Sequence, residues 1–324
     1  MYRRCDCSAR AGAEGSPRRE TTTKYERYAV KDVAVLVATY KRPEHLRDLL
    51  HSLEIAYEVM SFDLIVIDND PEGTGGGSCE DSALNIQYAI EPAPGIAAAR
   101  NRALRLAMGK YAFVAFVDDD EWVSPTWLAD LVGAQSRYSA DVVSGPVTPV
   151  LPSNAPKWAR WGQFFSRPAV PSGSRTRWPA TNNSLVRSAA IARLDKQEFA
   201  EEFSITGGSD TEFFWRLELS GATFVWCNEA EVFENVLPSR LSVKWLWRRG
   251  RRLGNVSSRM LILKGKSRAS VILLGAFRAI ATPGIVLLAL LRRTPWGPAA
   301  MNFPKAVGMI TASMGTYVRE YQRQ

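Results

Sequence analysis

The chain has 324 residues, enough to bury a sizeable core in one large α/β domain with an appendage. An apolar share of 46% with 23% charged residues excludes a disordered or low-complexity chain. Two histidines (His45, His51) and four cysteines (Cys5, Cys7, Cys79, Cys227) exclude a His-rich metal centre, paired zinc-ligand spacing and a disulfide framework, and a reducing compartment fits. The net charge of +8 is uneven: residues 239–324 carry 16 Lys+Arg and one acid, Glu320, while the rest is net acidic. A segment that cationic suits phosphate, whether in nucleic acid, a diphosphate or anionic lipid.

Residues 1–30 are polar and aperiodic, without the apolar stretch of a secretory signal, and read as a disordered tail. From Val33 the character changes. VAVLVAT (33–39) is an apolar strand, Pro43 suits a first helical turn, and HLRDLLHSL continues with helical spacing. FDLIVID (62–68) is a second strand, 68–82 a turn-rich loop and LNIQYAI (84–90) a third strand. The Ala-rich 95–109 segment is a helix closed by glycine, and YAFVAFVD (111–118) a fourth strand. A helix opened by Ser-Pro covers 124–138, and DVVSGPVTPV (141–150) reads as a fifth strand. Gly207-Gly208 then runs into a helix, and 239–268 is helical and very basic. This alternation predicts βαβ units, a mostly parallel sheet and a ligand outside the carboxyl ends of the strands. Those ends carry Thr39-Tyr40, Asp68-Asn69-Asp70 and Asp118-Asp119-Asp120.

Each cluster admits two readings. Asp118 to Glu121 is either a solvated acidic turn or a site whose mutual repulsion is relieved by a divalent cation on a diphosphate. Asp68 and Asp70 either accept hydrogen bonds from a base or ribose, or form an Asx-turn. Asp210, after two glycines that permit close backbone approach, is either an N-cap or a general base for an attacking hydroxyl. Arg100 and Arg102 either meet nucleobase or phosphate or lie on a solvated helix face.

In order and spacing, VATYKRPEHL, VIDND, EPAPGIAAARNRAL, FVDDDE, TNNSL and GGSDTEFFWRL resemble glycosyltransferase family 2. They are most similar to its bacterial exopolysaccharide branch, including succinoglycan-type β-glucosyltransferases. The resemblance covers roughly residues 31–255. It implies a GT-A fold: an α/β domain over 31–238 with a mixed, mostly parallel sheet flanked by helices, followed by a basic helical appendage over 239–324. By position, the resemblance puts Thr39, Tyr40, Arg42, Asp68, Asp70, Arg100, Asp118 and Asp119 on the nucleotide-sugar, with Asp68 or Asp70 on the base and Asp118 towards the ribose. It makes Asp120 of the Asp-x-Asp motif the holder of Mn²⁺ or Mg²⁺ and Asp210 the catalytic base. Asn182, Asn183, Gly208 and Ser209 are expected near the acceptor or diphosphate.

Two departures from the family pattern stand out. Ser209 occupies the position of a usual Glu, which leaves the acceptor's identity open. The Gln-x-x-Arg-Trp signature of processive members is absent, and Arg248, Arg249, Arg251 and Arg252 offer a substitute cation cluster near the leaving diphosphate or a lipid pyrophosphate. The expected reaction is inverting transfer of a single sugar, glucose as the first guess, from a UDP-sugar to a saccharide or polyprenyl-diphosphate-saccharide.

Residues 270–291 have the length of a membrane span, but Arg278 and Pro283-Gly284 argue against a clean crossing. A surface or re-entrant segment on the cytoplasmic face of the inner membrane is expected, against a buried hairpin as the alternative. A sugar-phosphate nucleotidyltransferase is disfavoured because Tyr40-Lys41-Arg42-Pro43 supplies no glycine-rich loop after the first strand. A non-catalytic binder finds support only in Ser209. A nucleic-acid partner is not expected, since no stacking platform is visible beyond Trp245 and Trp247.

Overall fold

Strand-length apolar runs alternating with amphipathic helices build the first half of the chain. The computed structural model describes residues 32–166, 170–176, 179–204 and 206–318. The expected 1–30 tail and Glu320 lie outside those residues.

The first half runs β1 (Val33–Thr39), α1 (Pro43–Val59), β2 (Asp63–Asp68), α2 (Gly76–Glu80), β3 (Ile86–Ile90), α3 (Ile96–Ala107) and β4 (Phe113–Val117). Pro43 sits in the first turn of α1, where its missing N–H costs nothing. Strand β1 pairs in parallel with β2 and β4, and the register sets Thr39 beside Asp68 at the carboxyl edge.

The chain continues through β5 (Glu121–Val123), α4 (Trp127–Tyr138), β6 (Val142–Ser144), β7 (Val147–Val150), α5 (Lys157–Gly162), β8 (Asn183–Arg187), α6 (Ser188–Ala192), α7 (Ser209–Leu219), β9 (Phe224–Trp226) and β10 (Val232–Asn235). A seven-stranded sheet has the order β3-β2-β1-β4-β8-β6-β9, with β8 antiparallel to β4 and β6. A second sheet has the order β5-β10-β7.

Both faces of the large sheet are buried. Val33, Val35 and Val37 pack with Leu46, Leu49 and Leu53 of α1 and Trp127 of α4. The alternate residues Ala34 and Leu36 pack with Ala99 of α3 and Phe213 of α7. Each fully buried leucine of α1 contributes about 1.5–3 kcal/mol.

Two strand expectations change. The run 141–150 is two strands in different sheets, because Gly145-Pro146 breaks it. A Cβ at Gly145 would meet the Ala230 carbonyl oxygen at 2.2 Å, so only glycine lets the chain turn there. Residues 183–187, expected only as a motif, form the central antiparallel strand β8.

The basic end forms α8 (Val243–Leu263), α9 (Arg268–Leu291), α10 (Gly297–Ala300) and α11 (Asn302–Ser313). Helices α8 and α11 touch backbone to backbone: a Cβ at Gly254 would meet the Lys305 carbonyl oxygen at 2.0 Å, and one at Gly308 the Arg251 carbonyl oxygen at 2.1 Å. Buried Asn255 secures the crossing by donating to the Gly308 carbonyl and accepting from the Val318 N–H, both at 2.7 Å.

Pro283 does not break α9, which runs unbroken for 24 residues. Immediately before it, the Thr282 hydroxyl donates to the Arg278 carbonyl one turn back at 2.6 Å. The helix is long and apolar enough to cross a membrane by length and composition, and its flank carries exposed Leu273, Phe277, Ile280, Leu287 and Leu291.

Candidate active site

The carboxyl edge of the parallel strands gathers the expected polar residues. Buried Thr39, at the end of β1, donates its hydroxyl to Asp119 at 2.8 Å. Arg42, just before α1, reaches Asp119 at 3.1 Å and Asp120 at 3.2 Å. Tyr40 is half-buried beside them, with the Lys41 ammonium 5.7 Å from its ring centroid. On the far side, Arg100 of α3 donates to Asp118 at 2.7 Å.

Carboxylates this close raise one another's proton affinity. Burial pushes Asp118 above its ordinary range against the pull of Arg100, and the charges of Asp120 and Asp210 push it the same way. Burial likewise lifts Asp119 to about 6, although Arg42 and Thr39 oppose it. Glu121, which accepts the Asp118 N–H at 3.0 Å, is driven well above the carboxylate range by burial and by Asp118.

The structure separates Asp68 from Asp70. Fully buried Asp68 accepts from the Asp70 N–H, the Gly75 N–H and the Tyr88 hydroxyl, so its carboxylate organises the 70–75 loop. Asp70 is also buried, but its Oδ2 has no hydrogen-bond partner among the described residues. A buried acceptor without a donor is costly, which makes Asp70 the carboxylate suited to a base N–H. Asn69 between them donates to the Glu91 and Ala93 carbonyls and accepts from the Gly95 N–H, tying β2 to the start of α3.

The Gly-Gly-Ser-Asp turn lies across the site. Gly207 and Gly208 have φ +79° and +103°, and a Cβ on Gly208 would meet Val256 of α8 at 2.9 Å. The N-cap is Gly208, so Asp210 falls inside the first turn of α7 instead of capping it. Half-buried Asp210 accepts the Thr211 N–H at 2.7 Å, and no cation pairs with it among the described residues. Its charge is the smallest of the influences on Asp118, which places the turn within electrostatic reach of the strand-end acids.

Two expectations need correction. Asn183 has both amide protons on the Pro146 and Ala230 carbonyls and accepts from the Trp127 indole, so it braces β8 and offers an acceptor no donor. Half-buried Asn182 precedes it at the strand's start. Ser209 is 2% exposed, as buried as Thr39 and Asp70 at the nucleotide edge. Arg248, Arg249, Arg251 and Arg252 of α8 have different surroundings. Arg252 lies near Gly207 and Arg249 stacks 5.1 Å from the Trp245 ring centroid, whereas Arg248 is exposed and Arg251 lies at the α11 crossing, its buried Nε without a hydrogen-bond partner among the described residues.

Two cations were not legible beforehand. Arg240 bridges Asp120, at 3.0 Å, and Glu234, bringing the first cation of the basic segment into the acidic cluster. Arg259 of α8 donates to the Thr206 hydroxyl at 2.6 Å and stacks 3.6 Å from the Phe203 ring centroid. Both are brought in by tertiary contact, and no local pattern marks them.

Among the described residues no three His, Cys, Asp or Glu side chains converge as a metal cage. The oxygen-only donors around Asp120 nonetheless fit a hard cation held by one or two carboxylates with substrate phosphate completing its shell.

An α/β sheet of this order with acids at its carboxyl edge defines a GT-A-like glycosyltransferase fold. The structure of S. aureus TarS 1–349 in complex with UDP matches it with a TM-score of 0.51 at 18% identity, covering 89% of this chain and 93% of that one. TarS 1–349 without ligand matches at 0.50 and 16%, with the same coverage. Residues 34–193 match glycosyl transferase family 2. The succinoglycan biosynthesis protein ExoM of Rhizobium meliloti strain 1021 is 36% identical over 234 residues, which is 70% of this chain and 74% of that protein. Glycosyltransferase GlyA of Streptococcus pneumoniae serotype 4 is 28% identical over 116 residues, 35% of this chain but 16% of its own length. The chain belongs to glycosyltransferase family 2.

Proposed function

We propose that this enzyme transfers one sugar from a nucleotide-diphospho-sugar, UDP-glucose as the first candidate, to a hydroxyl of a saccharide acceptor, with inversion at the anomeric carbon. The observation that carries the reading is Asp210. It is half-buried, has no paired cation among the described residues, and stands close enough to the strand-end acids to raise the proton affinity of Asp118.

The base of the donor lies against Asp70, whose orphaned Oδ2 accepts its N–H. Thr39, Tyr40, Arg42 and Arg100 line the same edge and orient the nucleotide, with Asp118 towards the ribose. Mn²⁺ or Mg²⁺ bound by Asp120 would neutralise charge on the diphosphate, a role Arg42 and Arg240 share from the protein side. Asp210 takes the proton of the acceptor hydroxyl. The oxygen attacks the anomeric carbon from the face opposite the nucleotide, the bond to the β-phosphate oxygen breaks, and the nucleoside diphosphate leaves with the electron pair. An α-linked donor therefore gives a β-linked product. Fixed positive charge at the leaving diphosphate is the main source of acceleration, and the base adds about 10²–10⁴-fold.

The likeness to ExoM, whose name assigns it to succinoglycan biosynthesis, supports a role in exopolysaccharide synthesis. The basic helices and the exposed apolar flank of α9 support attachment to the cytoplasmic face of the inner membrane. Each Lys or Arg near an anionic leaflet adds about 1 kcal/mol.

The test is nucleoside diphosphate release from a panel of UDP-, GDP- and dTDP-sugars, each with Mn²⁺ and with chelator. Metal-dependent release from one donor is expected. Failure of every nucleotide-sugar to bind would overturn the reading.

A further inference from the structure

A cavity of about 820 Å³ opens where α7 meets the C-terminal helices. That is within the roughly 300–1,000 Å³ of ligand pockets. Asp210 and Thr211 lie on its wall, so it begins at the candidate base. The opposite wall comes from α8, α9 and α11, beyond the 34–193 stretch that matches the family.

The lining falls into two chemistries. Three cations meet there: Lys264 at the C-cap of α8, 5.5 Å from the Trp215 ring centroid, Arg278 of α9, which also donates to the Met309 sulfur at 3.3 Å, and Lys305 of α11. The carboxylates on the wall are Asp210 and Glu218, and Glu218 already meets Arg175 at 3.4 Å. Met260, Phe277 and Ile285 supply an apolar surface. Phe277 is 69% exposed and continues onto the open flank of α9 with Leu273 and Ile280. Thus one cavity brings together a carboxylate that can take a hydroxyl proton, three cations and an apolar surface that continues onto the exposed flank of α9.

We propose that this cavity is the acceptor's carrier subsite and that its occupant is a lipid diphosphate: the glycan end at Asp210, the diphosphate on Lys264, Arg278 and Lys305, and the hydrocarbon chain leaving along α9. The charge complement selects an anion, and its continuity with an exposed apolar helix selects one attached to a chain. The inference rests on Asp210 being the base, and it adds that the C-terminal helices recognise the acceptor as well as the membrane.

The test uses the full chain and farnesyl diphosphate as probe, with farnesol and inorganic diphosphate as its two halves, by titration calorimetry. Farnesyl diphosphate should bind at least tenfold tighter than either half. Ala281→Trp, which fills the cavity from α9, should weaken it at least tenfold. Lys264→Gln should weaken farnesyl diphosphate but not farnesol, and it serves if the tryptophan variant does not fold. Ala281→Trp should still sediment with phosphatidylglycerol vesicles, which separates the subsite from the membrane surface. Inorganic diphosphate or farnesol binding as tightly as the whole probe would overturn the proposal, as would affinity unchanged in both variants. Asp210→Asn should bind the probe like the wild type. Donor turnover without probe binding would therefore refute the subsite alone, whereas transfer surviving in Asp210→Asn would refute the catalytic reading and, with it, the placement of the glycan end.

Discussion

Replacing Arg259 by alanine should slow transfer without weakening nucleotide binding. Arg259 has no ion pair with the strand-end acids among the described residues, but it fastens the loop ahead of Asp210 to α8 through Thr206 and Phe203. A hydrogen bond from a charged donor is worth about 1.5–3 kcal/mol and a partly desolvated cation–π contact about 1–2 kcal/mol. Losing both frees a turn whose two glycines have little conformational preference of their own. A displacement of about 1 Å at a reacting group costs on the order of 100-fold. We therefore expect kcat to fall about 10- to 100-fold in Arg259→Ala, with the Kd for UDP within about twofold of wild type. Arg259→Lys keeps the charge but not the planar face, and should recover only part of the loss. Single-turnover transfer with calorimetric UDP titration separates the two quantities. An unchanged kcat, or a UDP affinity falling in step with it, would refute a positioning role.

Further expectations follow from packing and ionisation. Gly254→Ala forces a Cβ against the Lys305 carbonyl oxygen, and should destabilise the protein by about 1–3 kcal/mol, read as a lower denaturant midpoint. Because Asp119 titrates near 6 when folded and near 4 when unfolded, its contribution is full below about pH 4 and lost as pH rises through 6, on the order of 3 kcal/mol. In chelator and without nucleotide, Asp119→Asn should thus be more stable than wild type above pH 6, with the difference gone below pH 4; a constant difference would contradict this. Burial holds the Cys79 and Cys227 thiols at about 12, so peptide mapping after iodoacetamide at pH 8 should find both unlabelled until the protein is unfolded.

The elements legible in the sequence were those decided locally. Strands β1, β2 and β4 are continuous apolar runs because both their faces are buried, and their polar ends mark the ligand edge without reference to any other part of the chain. Strand β8 was not legible as a strand: its Asn-Asn-Ser start is polar, and only the pairing partners β4 and β6 explain why Asn183 and Ser184 are buried. The split at Gly145-Pro146 depends on the Ala230 carbonyl, 85 residues away in sequence. The same logic applies to the site. Asp118, Asp120 and Asp210 stand out by position, whereas Arg240 and Arg259 act through contacts that spacing does not encode. The unbroken course of α9 past Pro283 is likewise a product of the surrounding helix.

The account is tested most directly by Asp210→Asn, assayed for UDP affinity and for sugar transfer on the same preparation. The amide preserves shape but cannot take a proton. UDP affinity should stay within about twofold while transfer falls about 10²–10⁴-fold, the contribution of a general base. Transfer at the wild-type rate would contradict the assignment of Asp210 and, with it, the proposed mechanism.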